Sequence, residues 1–400
     1  MADNAASNSL NALNPELWES AMQVVRHKEN VAVGLCNVKY GNFQPHDKWH
    51  KPYRSFPTAQ DYTRGTDVSI PAQTVTDESG DIDQIKVAPF YIDLLDEILN
   101  PYDFAAKQAS DCVRLLDNII DQKLLAEYSN ADDNVDNGDL GGTAGDYAAL
   151  TTTNIDQFFT AAQRKLDDVS VPVGQRFAVV GSRTLELLRL YIAGKDTSFG
   201  DEVGMNGFIG RRFGFNVFYS NNIPWTGTLS MATNPTEGDT VVIKGITATF
   251  NATPSGAGSV DIGSDAATSV ANLVALIMDT GTAGTTYIQI SAKNRKKLIQ
   301  GGVVATDATT SITFVAYGDM AVSETLTATA DVWSVQRSHE LFGAMGSTEL
   351  RLAVSPKITF TNPEKKLGRY VLPFDVYGVK TFSDGTESLL DGRIDASTWA

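Results

Sequence analysis

Cysteine and histidine are scarce in this chain of 400 residues: there are two cysteines, Cys36 and Cys112, and four histidines. Two thiols far apart in sequence read as small apolar core residues of a reducing compartment, not as a disulfide framework. So few histidines leave few general bases near neutral pH. No apolar run is long enough to span a bilayer, so no membrane is expected. The opening Met-Ala-Asp-Asn-Ala-Ala-Ser-Asn-Ser lacks the basic and apolar stretches of a secretory signal, and the chain is expected to stay in the cytoplasm where it is made. Basic charge is short as well. Against 48 acids there are 32 Lys and Arg, a net of −16, and residues 1–150 alone carry 11 bases and 24 acids. Tight basic clusters include Arg211-Arg212 and Lys293/Arg295-Lys296-Lys297. Neither makes the basic stripe of a protein that grips phosphates.

Catalytic constellations are missing too. There is no Gly-x-Ser-x-Gly and no phosphate loop with its Lys. Gly207-x-x-Gly210-x-x-x-Gly214 is not a dinucleotide fingerprint. His46 and His50 have the i, i+4 spacing of a helical zinc pair, but Pro45 and Pro52 bracket them and no third ligand follows at motif spacing. Asp132–Asp139 begins like a calcium loop, yet its Gly falls one place late and no closing Glu follows. A solvated, mobile loop is expected there. The expectation is no enzyme, no cofactor and no metal.

What is present is a sequence of architectural signals long enough for two or three domains. Residues 1–14 are small and polar. Pro15 opens a helical pattern through Leu17, Trp18, Met22, Val24 and Val25, and Val31–Tyr40 turns extended. Residues 41–66 are rich in aromatics and proline and read as an arm lying on something else. The alternation over Asp67–Ile92 predicts a long β-hairpin turning at the acidic Asp77-Glu78-Ser79-Gly80-Asp81. Pro101–Tyr128 carries one apolar stripe (Ala105, Ala109, Cys112, Leu116, Ile120, Leu124) and predicts a helix of about 40 Å. Residues 129–149 read as a flexible loop.

An α/β pattern follows. A helix is predicted from Thr153, with Ile155, Phe158, Phe159, Ala162 and Leu166 inward. Next come a strand at Arg176–Val180, a helix at Thr184–Tyr191, a loop at Gly194–Gly210 and a strand at Phe213–Ser220. Residues 226–336 are rich in Thr, Ala and Gly and read as a compact inserted α+β domain. In it a hairpin turns at Lys244-Gly245, a helix covers Ala266–Ile277 and short strands cover Tyr287–Ser291, Ser311–Val315 and Glu324–Ala328. Strands at Glu349–Val354, Lys357–Phe360 and Tyr370–Phe382 close the chain.

Gly204–Pro224, a Gly-rich loop leading into Phe215-Asn-Val-Phe-Tyr-Ser-Asn-Asn-Ile-Pro224, resembles a segment found in major capsid proteins of tailed phages. Gln175-Arg-Phe-Ala-Val-Val-Gly-Ser182 and the closing Val376-Tyr-Gly-Val-Lys380 are similar to other segments of that family, in the same order. The resemblance covers residues 15–225 and 337–395. It implies an α+β, Hong Kong 97-like capsid fold, divided as follows. Residues 1–40 form an N-terminal arm, 41–92 an extended arm and extended-loop hairpin, and 93–150 a peripheral domain with a spine helix. Residues 151–225 begin the axial domain, 226–336 form the insertion domain, and 337–400 return through the axial domain to the closing strands.

By resemblance, the implied function is a major capsid protein. It would self-assemble through hexamers and pentamers into an icosahedral shell around the double-stranded DNA of a tailed bacteriophage. Assembly would take place in the host cytoplasm, with a scaffolding protein in trans and a portal as partners. The DNA would be enclosed without sequence-specific binding. The expected subunit contacts are Trp49, Tyr53 and Phe56 against a neighbour, the acids Asp77, Glu78 and Asp81 toward basic partners, and Arg211 and Arg212 across the capsomer axis. An encapsulin-like cellular shell and a virion-surface β-rich binding protein are the other readings.

Overall fold

A computed structural model describes residues 26–40, 48–99, 104–195, 210–328, 331–362 and 367–399. The helix expected after Pro15, His46 and most of the Gly-rich loop lie outside these residues. The chain runs β1 (Asn37–Tyr40), β2 (Lys48–Arg54), β3 (Val75–Asp81), β4 (Gln84–Val87), β5 (Phe90–Asp93), α1 (Leu94–Leu99) and the spine helix α2 (Phe104–Leu125). It continues through β6 (Asp133–Val135), α3 (Ile155–Asp168), β7 (Arg176–Val180), α4 (Ser182–Ala193), β8 (Arg211–Arg212), β9 (Phe215–Tyr219) and β10 (Pro224–Ser230). Then follow β11 (Thr240–Ile243), β12 (Ile246–Asn251), β13 (Ser259–Asp261), α5 (Ala266–Met278), α6 (Ala292–Gln300), β14 (Val304–Asp307), β15 (Ser311–Tyr317) and β16 (Val322–Glu324). Last are β17 (Trp333–Ala344), β18 (Thr348–Thr361), β19 (Gly368–Thr381), α7 (Ser383–Thr386) and β20 (Leu389–Asp395).

Two large sheets organise these elements. One runs β1-β18-β19-β4, with β5 also on β19, and the spine helix packs against it. Its main ladder, β18 with β19, is antiparallel from Thr348↔Thr381 to Thr361↔Tyr370. The other has nine strands: β14-β15-β10-β17-β7-β9-β8, with β20 on β17 and β6 on β20. β10 and β7 lie end to end along one edge of β17. A four-stranded sheet, β13-β12-β11-β16, stands apart with α5 packed nearby, and β2–β3 form an isolated hairpin.

The 3.6-residue periodicity is borne out where it was strongest. In α3, Ile155, Phe158, Phe159, Ala162 and Leu166 are all fully buried and pack with Phe215 and Phe342. In the spine helix Ala109, Cys112, Leu116, Ile120 and Leu124 are buried. That helix has 22 residues, about 33 Å at 1.5 Å per residue. Its last turn tightens into a 3₁₀ segment at Ala126–Asn130. The two cysteines are free thiols.

Five expectations are corrected. The hairpin of Asp67–Ile92 does not form: β3 pairs backwards with β2, Lys48↔Asp81 to Arg54↔Val75, while β4 joins β19. The acids Asp77–Asp81 are therefore strand, not turn. Residues 129–149 are not a loose loop. Val135 and Ala148 are fully buried, and Asp136 and Asp139 form a capping box over Gly138. Lys165 and Arg164 lie within 3.2 Å of the Asp133 and Asp139 carboxylates, which explains acids that merely looked like a calcium loop. The expected boundary at 225/226 falls inside β10, whose Trp225 and Leu229 share one core with Phe250, Leu273 and Phe314. Residues 224–230 and 304–317 thus extend the nine-stranded sheet. Glu349–Val354 and Lys357–Phe360 are one bulged strand, and Ala292–Gln300 is a helix where none was expected.

The parts meet at one buried polar junction. Asn222, fully buried, donates from Nδ2 to Asp121 Oδ2 and to Asn118 Oδ1, both at 2.8 Å. The other Asp121 oxygen accepts the backbone N–H of Val31 (2.8 Å) and Ala32 (2.7 Å). Lys28 Nζ donates to Asn222 Oδ1 (2.9 Å), Asn221 O (2.8 Å) and Tyr317 O (3.2 Å). The N-terminal arm, the spine helix, the β9–β10 connection and β15 are thereby tied together. Burial, reinforced by the neighbouring Lys244, pushes the Lys28 ammonium down to about 7. Asn222→Ala leaves a carboxylate oxygen and the Lys28 ammonium short of partners. It should cost roughly 2–4 kcal/mol, read as a lowered urea midpoint with an unchanged m-value.

Glu340 on β17 is a second buried acid. Oε1 accepts the Gly181 N–H at the entrance to α4 (3.0 Å). Burial pushes its carboxyl from 4.5 up to about 8. The folded state then keeps a proton that the unfolded chain releases, so stability falls as pH rises from about 4.5 to about 8 and levels off above. Glu340→Gln should flatten that slope. At pH 9 it should leave the variant more stable than the parent by a few kcal/mol, with little difference at pH 4, as measured by denaturation at a series of pH values.

Candidate assembly surface

The β2–β3 hairpin is the element that leaves the body of the molecule, and its root explains how. Trp49 on β2 is only 9% exposed. Its ring meets Phe382 edge-on at 6.2 Å, with the Arg351 guanidinium 5.7 Å from its centre. Gly80 and Gly378 make room for it. A Cβ on Gly80 would lie 2.4 Å from the indole, and one on Gly378 would lie 2.3 Å from the Asp81 carbonyl and 2.8 Å from the indole. Charged groups ring this wedge. Lys51 Nζ sits 2.7 Å from Asp384 and 3.4 Å from Glu349, and these carboxylates raise its pKa against the opposing effect of its partial burial. Glu78 accepts from the Ser383 N–H (3.1 Å) and hydroxyl, which hold its carboxyl below the usual range.

Beyond this root, Ser55 N–H still bonds Thr74 O at 2.9 Å. The strands then part, and the chain turns back at Thr63–Thr66, where Thr66 N–H meets Thr63 O. Some ten residues from Ser55 to the turn can reach about 30 Å. Phe56 is 93% and Ile70 91% exposed, and Tyr62 and Val68 are also exposed. Clustered apolar side chains with nothing over them mark an interaction surface. Further exposed apolar side chains, Leu95, Ile98, Phe360 and Leu367, lie at the far end of the β18–β19 sheet.

The residues expected at subunit contacts therefore divide. Trp49 is corrected to an internal wedge. Asp77, Glu78 and Asp81 are not at a tip: Asp77 pairs with His50 (2.8 Å), Glu78 with Ser383 and Asp81 with Lys48 (3.4 Å), all within the chain. His50 thus hydrogen-bonds Asp77, and among the described residues no cluster of three metal ligands occurs. Tyr53 and Phe56 remain exposed on the hairpin. Arg211 is exposed on β8 and donates to Val173 O (2.6 Å), and Arg212 donates to Arg211 O (3.0 Å). Lys51, Ser383 and Asp384 at the root were missed because their pairing joins residues far apart in sequence, with separations of 333 for Lys51–Asp384 and 305 for Glu78–Ser383.

Comparison of the sequence with protein families and with curated proteins finds no match. Comparison of the structure does. The chain superposes on a structure from Mycobacterium phage Che8 with a TM-score of 0.57 and 13% identity, covering 95% of this chain and 97% of that one. It superposes on the capsid structure of cyanophage P-SCSP1u at 0.56 and 10%, covering 96% and 93%. A third match, the asymmetric unit of the mature capsid of bacteriophage PhiM1, scores 0.50 at 10% identity, covering 94% and 91%. The fold is the Hong Kong 97-like fold of tailed-phage capsid structures. Among the described residues no helix is long and apolar enough to cross a membrane.

If the Trp49 wedge holds the hairpin to the body, Trp49→Ala should destabilise the chain by about 3–5 kcal/mol. Gly378→Ala, which meets backbone and cannot be relieved by a rotamer change, should have a comparable effect. In both variants limited proteolysis should cut within residues 48–81 before any other segment, and an unchanged cleavage order would count against the wedge.

Proposed function

We propose that this chain is the major capsid protein of a tailed bacteriophage, a structural protein without catalytic activity. Copies assemble through hexamers and pentamers into an icosahedral shell that encloses double-stranded DNA in the virion. The observation that carries this reading is the match of fold over nearly the full length of both this chain and two capsid structures. The unpartnered hairpin supports it. A subunit contact of ordinary size buries on the order of 1,600 Å², and a long apolar-tipped loop adds area without enlarging the core. The hairpin side chains Tyr53 and Phe56 lie against a neighbouring subunit, and Arg211 and Arg212 face acids across the capsomer axis. The domain division is kept except at 225/226, with the hairpin now residues 48–81 and the insertion centred on the four-stranded sheet. A net charge of −16 suits a wall that must not hold its DNA tightly. A separate scaffolding protein and a portal are the partners in assembly. A β-rich surface-binding protein does not account for the spine helix or the full-length match.

Electron microscopy of the expressed protein tests the reading: shells or capsomers are expected, and a monomer that persists at high concentration overturns it. Replacing residues 57–71 with a two-residue turn keeps the anchored root of the hairpin. Its product should fold with a normal urea midpoint and fail to form shells, and normal shells from it would remove the hairpin tip from assembly.

A further inference from the structure

The buried junction at Asn222 sets an amine, a carboxamide and a carboxyl group side by side. Asn222 and Asp121 are both fully buried. The carboxamide is oriented by its neighbours. Its Nδ2 faces two acceptors, Asp121 Oδ2 and Asn118 Oδ1, each at 2.8 Å. Its Oδ1 faces two donors, Lys28 Nζ at 2.9 Å and Gln122 Nε2 at 3.5 Å. The carbonyls of Asn221 (2.8 Å) and Tyr317 (3.2 Å) also bind Lys28 Nζ and hold it beside the amide. Burial raises the Asp121 carboxyl, against the hydrogen bonds from Asn222, Ala32 and Val31 and the charge of Lys28. Burial, and after it Lys244 on the β11–β12 turn, lowers the Lys28 ammonium to about 7, with Asp121 opposing. A proton passed from Lys28 to Asp121 removes two desolvated charges at once and leaves a free amine next to an amide.

A desolvated amine fixed beside a carbonyl carbon is an activated nucleophile. We propose that Lys28 and Asn222 of the same chain join in an isopeptide bond, Nζ to Cγ, with Asp121 as the acid–base group. The neutral amine attacks Cγ, and the charge that gathers on Oδ1 is met by Gln122 Nε2. Asp121, in its acid form, gives Nδ2 the proton with which it leaves as ammonia, and Nζ gives up one proton in return. One C–N bond forms and one breaks. Nothing is oxidised or reduced, and Asp121 ends as it began. The hydrogen bonds of the junction are those of the reactants, before the bond closes. Once closed, the bond ties the N-terminal arm to the β9–β10 connection across a sequence separation of 194. Such a loop persists in the unfolded chain and restricts it. The inference concerns one chain and holds whether or not copies form a shell.

Mass spectrometry of the full-length chain, incubated folded at mildly alkaline pH and then denatured, tests the proposal. The chain should weigh one ammonia less than before incubation. Trypsin should no longer cut after Lys28, and a branched peptide should join Lys28 to Asn222. Lys28→Arg keeps a cation at the junction but has no amine to acylate, so it should keep its full mass. Asp121→Asn can still hydrogen-bond Asn222 but supplies no proton, and the bond should form at least about 100-fold more slowly. A parent that keeps its full mass overturns the proposal. Ammonia loss that persists in Lys28→Arg, without a branched peptide, would mark Asn222 closing on its own backbone as a succinimide and overturn it equally. An undiminished rate in folded Asp121→Asn would overturn the acid–base role. Should Asp121→Asn fail to fold, the parent and Lys28→Arg decide alone.

Discussion

The contact between Asp121 and Asn222 is the constraint on which the arrangement of parts depends. A carboxylate stripped of water is tolerated only when its lone pairs are filled. Here each filling comes from a different piece of chain: two backbone N–H groups of the arm and the amide of the β9–β10 connection. Asn222 in turn accepts from Lys28, which also reaches the carbonyl of Tyr317 at the end of β15. Four segments distant in sequence are therefore fixed by one set of hydrogen bonds, and the apolar cores on either side close around it. The Asn-Asn-Ile-Pro run is best understood as this knot. Asn221 offers its carbonyl, Asn222 its amide, and Ile223 accepts from Gly318 at 2.7 Å before the chain enters β10.

The hairpin shows the opposite economy. Its root is specified by shape and charge together: a tryptophan set between two glycines, with Lys51 and Glu78 paired to residues beside Phe382. Its outer half has little of either and leaves phenylalanine and isoleucine in water. One element is thus fixed where it joins its own chain and unsatisfied where it leaves, a division suited to a part whose partner is another molecule.

Much of this was legible in the residues. The stripe of α3 and that of the spine helix needed only the 3.6 period, because each stripe packs into an apolar core. The Lys244-Gly245 turn was equally local. What escaped was decided over distance. Asp77-Glu78-Ser79-Gly80-Asp81 has turn composition, yet its Gly is there for Trp49 and its acids are there for His50, Ser383 and Lys48. The Asp/Asn/Gly content of residues 129–149 reads as disorder until Lys165 and Arg164 are seen to face it. The shift in composition after Trp225 was real, but β10 obeys the pairing demands of β15 and β17 before those of the segment it introduces. At the candidate contact residues, the aromatics of residues 49–56 announced that something packs there. Whether the partner was the same chain, as for Trp49, depended on a fold the local residues do not encode.

The long ladder between β18 and β19 carries a mechanical meaning. Its bonds lie across the strand direction, as in any antiparallel pair, and extend from Thr348↔Thr381 to Thr361↔Tyr370. A pull along the strands strains these bonds in shear, side by side, so they yield only together. A pull across the strands would peel them open one after another. A sheet seamed in this way is strong along one in-plane direction and weak along the other, so the load it bears depends on how its strands are turned relative to the pull.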